Sequence, residues 1–267
     1  LGLFRPILLP LCILVAGMAG GMWAMILATL VGLAVMYRPA LKLAKPAPKT
    51  PPAMPSMLVT MVGMLAFASM TNIDVLFSQA GMAEVDRAHY AGAVLLGKIA
   101  LFAPSALAFV LLPRATAALE RGERADKAVL LTMAATAACG LLVAAVLWLM
   151  PLWLLTGTFG QNYADSKPLL APLALVMTAA AVLWVHVTFA AAKKSHRMTV
   201  GLVVAAVAHV VLLSFLHHSP WQIITASAIA IGSCLVVIEV ASGSSVIRMV
   251  MARSRPTPSL LDSRGRE

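Results

Sequence analysis

Apolar residues run along most of this chain in stretches of about twenty or more positions, and the polar residues gather between them. Six such stretches lie at about 56–79, 89–112, 126–155, 168–191, 198–216 and 221–247, joined by short connections at 80–88, 113–125, 156–167, 192–197 and 217–220. About 20 apolar residues in a helix, rising about 1.5 Å each, cover the roughly 30 Å hydrocarbon layer of a bilayer. The pattern therefore predicts six sequential antiparallel membrane helices. Upstream, residues 6–37 form one apolar stretch, about 48 Å long as a single helix and too long for one upright span. Gly17, Gly20 and Gly21 divide it, which predicts a hairpin of helices at about 3–17 and 21–37, since glycine turns at little steric cost. One long tilted helix is the alternative. With the hairpin, the total is eight spans. No series of ten-residue segments alternates polar with apolar positions, as a membrane β-barrel would require.

The stretch before position 56 is different in kind. Arg38, Lys42, Lys45 and Lys49 are interleaved with Pro39, Pro46, Pro48, Pro51, Pro52 and Pro55. Prolines this dense block a continuous helix and favour an extended linker. The expected organisation is a helix pair over 1–38, a Pro/Lys-rich cytoplasmic linker over 39–55, a six-helix bundle over 56–247, and a basic tail over 248–267. The tail, rich in Arg, Ser and Pro, is expected to remain solvated. The chain opens at Leu1 with apolar sequence already under way, and lacks the basic start and cleavage site of a signal peptide. A fragment or a misplaced start is the expectation.

Composition sharpens the class. Hydrophobic residues make up 61% of the 267 positions and charged residues 11%, against about a quarter charged in soluble domains; the mean hydropathy is +0.93. The predicted fold class is an all-α polytopic membrane bundle. The net charge is +10, and its distribution separates topology from nucleic-acid binding. With Arg5 placed inside and the sides alternating, seventeen of the 20 Lys and Arg fall on one side. Only Arg87 and Lys167 fall on the other, and Lys98 lies within a span. Cytoplasmic loops collect Lys and Arg, so both termini are expected in the cytoplasm and the protein in the inner or plasma membrane. Cations spread over short loops do not make a nucleic-acid-binding face, and no nucleic-acid partner is expected. Trp148, Trp153 and Trp221 stand near predicted outer helix ends, as interfacial anchors or as ordinary packing residues. Cys12, Cys139 and Cys234 lie inside apolar runs without metal-ligand spacing, and read as small core residues. No metal or cofactor is expected.

Ionisable groups inside a span are costly and mark functional sites. The spans hold Asp74, Lys98, His186, His209 and Glu239. With a hairpin turning near residue 84, Lys98 lies about four to six residues, roughly 6–9 Å, deeper than Asp74, close enough for an ion pair by snorkelling. The pair either builds a polar cavity in which Lys98 meets an anionic substrate or simply locks two helices. Asn72 and Gln79, seven apart, share one helix face, while Thr71, Asp74 and Ser78 share its neighbour; such a stripe lines water or another helix. Pro104 kinks the fourth span and is the hinge candidate. His186 and His209 read as isolated core histidines in preference to proton relays, and Glu239 as reaching the interface or Arg248. No nucleotide-binding, hydrolase or metalloprotease signature occurs, and the outer loops leave no room for a catalytic domain; an enzyme is not expected.

Residues 71–114 carry a pattern: Thr71-Asn72-Ile73-Asp74-Val75-Leu76, a short acidic loop, His89-Tyr90-Ala91-Gly92-Ala93, Leu96-Gly97-Lys98-Ile99, and Val110-Leu111-Leu112-Pro113-Arg114. This resembles the start of the C-terminal half of polysaccharide exporters, the lipid-linked oligosaccharide flippases of the MATE-related MOP superfamily. The resemblance implies two six-helix lobes joined by a cytoplasmic linker, of which this chain holds the end of the first and all of the second, about four helices fewer than the whole. It also implies a polyprenyl-pyrophosphate-linked sugar as substrate, with Lys98 on the diphosphate, Asp74 holding Lys98, and Asn72 and Gln79 bonding sugar. Polysaccharide polymerases or glycosyltransferases would be partners beside the lipid bilayer. The alternatives are a MATE-like small-molecule exporter and a noncatalytic membrane scaffold for polysaccharide assembly. A further four spans encoded in frame upstream of Leu1 would favour the two-lobed transporter.

Overall fold

The computed structural model describes residues 54–105, 126–192 and 196–241, with a few helical positions between 27 and 35. The expected helix pair before the linker, the linker itself and the basic tail fall almost wholly outside these residues. The chain forms two compact units, Leu1–Met54 and Pro55–Glu267, and the helices that follow belong to the second.

Every regular element among the described residues is helical. α1 spans Met54–Gly81 and α2 Glu84–Gly97; a further helical segment covers 99–105. α3 spans Asp126–Leu149, α4 Leu152–Phe159, α5 Lys167–Ala192, α6 His196–Phe215 and α7 Pro220–Ala241, with a 3-10 helix at Gln161–Ser166 between α4 and α5. Among the described residues, five helical stretches are long and apolar enough to cross a bilayer: Leu58–Gly81, Val129–Leu149, Tyr163–Phe189, His196–Phe215 and Pro220–Glu239. The all-α polytopic membrane bundle expected from the hydropathy pattern is thus the fold.

Three boundaries differ from expectation. The connection drawn at 80–88 shrinks to Met82 and Ala83, because Glu84 and Asp86 favour the positive N-terminal end of α2 and extend it backwards. The run 126–155 is not one helix. It ends at Leu149, and Pro151 adopts an extended conformation (φ −70°, ψ 144°) that caps the separate α4. Proline has no N–H to continue the ladder. The stretch 156–167, expected as a loop, is instead the end of α4, a turn at Gly160 with φ 97°, and the 3-10 helix. A positive φ of this kind is easily adopted only by glycine.

α5 forms the centre. Of its membrane span 61% is buried, against 22% for α6, and it packs on α2, α3 and α7, while α6 packs on α7. α1 reaches α5 through Phe67 and Trp184, whose rings lie 4.9 Å apart. Between membrane helices no hydrophobic force favours contact over lipid, so close approach depends on small residues. Gly140 of α3 is such a position: a Cβ there would lie 2.5 Å from Thr178 Oγ1 and Cγ2 on α5. Gly97 of α2 stands similarly close to Leu173 of α5. The α1–α2, α4–α5 and α6–α7 links lie at one end of the bundle. Gly81 at the end of α1 abuts His217 in the α6–α7 link, and Ser166 donates to the His89 carbonyl of α2 at 3.0 Å.

Candidate functional site

The polar residues of α1 divide by face as their spacing predicts. Thr71, Asp74 and Ser78 are all buried, with 3%, 1% and 0% exposure, whereas Asn72 and Gln79 are both exposed. The hydroxyls on the buried face are satisfied within the helix: Thr71 donates to the Phe67 and Ala68 carbonyls and Ser78 to that of Val75. Such back-bonding lets Ser and Thr sit in apolar surroundings. Asp74 instead finds its partner on the next helix. Its donor is Tyr90 of α2, whose hydroxyl reaches Asp74 Oδ2 at 2.7 Å; the tyrosine is fully buried. Asp74 Oδ1 is buried with no hydrogen-bond partner.

The two-residue link explains both this pair and the failure of the expected one. Asp74 and Tyr90 are each eight positions from Met82, so they face one another across the hairpin. Turning near 82 instead of 84 carries Lys98 seven to eight residues, about 10–12 Å, deeper than Asp74, further than predicted. Lys98 therefore pairs with Asn72, which is nearer: its Nζ donates to Asn72 Oδ1 at 2.9 Å. The Asn72 amide is oriented for this, since its Nδ2 donates to the Ala68 carbonyl at 2.8 Å and to Thr71 Oγ1 at 3.2 Å, leaving the oxygen for the ammonium. Gln79 shares the exposed face with Asn72 but lies about 10 Å closer to the link; its backbone carbonyl accepts from Arg87 at 3.3 Å. Tyr90 is the site residue that hydropathy alone could not single out. Only the observed two-residue link puts it level with Asp74; a turn near 84 would not.

Lys98 also stands where the helix breaks. It adopts a turn conformation after Gly97, and its carbonyl accepts from both Leu101 and Phe102 at 3.0 Å. Pro104, the expected hinge, is buried within the helical segment that follows. Its missing N–H frees the carbonyl four residues earlier, but the departure from regular helix falls at Lys98, six residues before it. Asn72 lies nine residues, about 14 Å, from the end of the Leu58–Gly81 span. That depth is near the midplane of a roughly 30 Å layer. The arrangement is an ammonium and an amide, paired and exposed on the flank of α1 and α2 at mid-membrane, above a buried tyrosine–carboxylate pair.

The two histidines are not isolated. His186 Nε2 of α5 lies 3.8 Å from Glu239 Oε2 of α7, and His209 Nε2 of α6 lies 3.1 Å from Ser227 Oγ of α7. Each pair ties one helix to α7, so Glu239 is engaged inward.

Tyr90→Phe is expected to lower stability by about 1–3 kcal/mol, the cost of leaving a buried polar group without its hydrogen-bond partner, because the Asp74 carboxyl would lose its donor. Thermal unfolding in detergent would register it. A midpoint equal to that of the parent protein would mean that the pair contributes nothing.

The chain matches no protein-family profile, no curated protein and no solved structure.

Proposed function

We propose that this protein translocates a polyprenyl-pyrophosphate-linked sugar across the inner membrane, as part of a flippase of the polysaccharide-exporter kind in the MATE-related MOP superfamily. The observation that carries the reading is the Lys98–Asn72 pair, exposed at mid-membrane depth. A lysine facing hydrocarbon at the centre of a span costs about 2.5–3.5 kcal/mol or more. A water-lined cavity removes that cost, and transporter substrate sites lie near the midplane. In such a cavity the diphosphate takes the Lys98 ammonium in place of Asn72. Asn72 and Gln79, on one exposed face, then offer amides to sugar hydroxyls. Asp74, held by Tyr90, lies near Lys98 without contacting it directly. The polyprenyl tail stays in lipid. No covalent bond changes, so the protein is a transporter and not an enzyme. A half-buried cation that reaches the surface also favours an anionic substrate over the cationic drugs of MATE-like exporters. Polymerases or glycosyltransferases that make or extend the sugar are the natural partners.

The test is translocation itself. The full-length gene product, reconstituted in liposomes with a fluorescent polyprenyl-diphosphate sugar, should move label from a glycosidase-accessible to a protected leaflet. A rate equal to that of protein-free liposomes would reject the reading. The proposed orientation has its own check. A cysteine placed at Lys45 should react with an impermeant maleimide only after the cytoplasmic side is opened, and one placed at Ser219 should react in intact cells. The opposite pattern would invert the topology.

A further inference from the structure

Away from Lys98, α3, α4 and α5 enclose an open groove of about 710 Å³. α3 and α4 contribute Trp148 and Leu152, and α5 contributes Lys167, Pro168, Ala171 and Leu175. The groove exists because the chain breaks at Pro151 and returns through α4, while α5 presents small or compact residues that cannot fill the space. Its lining is apolar except for Lys167, the first residue of α5. Among the described residues no carboxylate lies within ion-pairing distance of that ammonium.

The dimensions match one leaflet. From Lys167 to Leu175 the helix rises about 12 Å, close to the roughly 15 Å that is half of the hydrocarbon layer. Trp148, which lines it, is 74% exposed, and amphipathic rings of this kind settle at headgroup level. A groove open to lipid in a bilayer is filled by acyl chain. The lone cation at the headgroup end selects among lipids, since a lysine near the surface attracts anionic headgroups.

We propose that this groove binds one anionic phospholipid, with its phosphate on Lys167 and an acyl chain laid along Trp148, Ala171 and Leu175. The inference does not depend on the translocation reading: it rests on the far side of α5 and needs only that the bundle lies in a bilayer.

Quenching of Trp148 tests it. In a full-length variant with Trp23, Trp153, Trp184 and Trp221 changed to Phe, Trp148 reports lipid in the groove. In phosphatidylcholine vesicles doped with brominated phosphatidylglycerol, half-quenching should occur at about a five-fold lower mole fraction than with brominated phosphatidylcholine, the ratio that one lysine supplies. Lys167→Gln should erase the difference. Ala171→Phe should fill the groove and weaken quenching by both lipids. Arg87→Gln, at the other cation on that side, should leave the preference unchanged. Equal quenching by the two lipids would overturn the proposal, as would loss of the preference in Arg87→Gln, which would make it a general surface-charge effect. Displacement of the phosphatidylglycerol by equimolar polyprenyl phosphate would also overturn it, assigning the groove to substrate tail.

Discussion

Lys98→Ala should abolish export of the lipid-linked sugar while the protein still inserts and folds. The two halves of that result have separate causes. A charge-assisted hydrogen bond contributes about 1.5–3 kcal/mol, or roughly a ten- to hundred-fold change in affinity, and a diphosphate, carrying more than one negative charge, relies on its cation at least that much. Folding relies on Lys98 less. The residue is only half-buried and its partner Asn72 is exposed, so removing the ammonium leaves Asn72 free to bond water, and the loss of stability should stay below about 1 kcal/mol. Lys98→Arg restores charge with a different donor geometry and should recover part of the export. The readout is sugar polymer at the cell surface, with membrane abundance measured in parallel. Normal export by Lys98→Ala at normal abundance would remove the residue from the site.

The second large effect is structural. Gly140→Leu is expected to separate α3 from α5 and lower stability by about 3 kcal/mol or more, beyond the usual 1–3 kcal/mol of overpacking. The reason is the neighbour's rigidity. Thr178 donates its hydroxyl to the Ala174 carbonyl at 2.7 Å, and it is buried, so it cannot swing away from an added Cβ that would meet it at 2.5 Å. Even Gly140→Ala should be clearly destabilising, and Thr178→Ala should rescue it. A double-mutant cycle on thermal midpoints isolates the coupling between the two positions. Additive effects would show that α3 and α5 do not touch here. Because α5 is the most buried helix, loss of this seam should also loosen α2, which carries Lys98.

The hydropathy pattern determined that the chain is a helical membrane bundle, and helix periodicity determined which polar residues of α1 turn inward and which outward. Both are properties of one helix at a time: 3.6 residues per turn place Thr71, Asp74 and Ser78 together whatever surrounds them. Tertiary structure alone decided who pairs with whom. A two-residue link in place of nine shifted the hairpin register by about half a helical turn, enough to give Asp74 to Tyr90 and Lys98 to Asn72. The same is true of His186 with Glu239, of His209 with Ser227, and of the groove beside Lys167. Hydropathy measures how much of a helix avoids water, and lipid and protein neighbours satisfy that demand equally. Register, depth and the identity of the facing helix follow from close packing at a few small residues, which no pattern along a single strand of sequence contains.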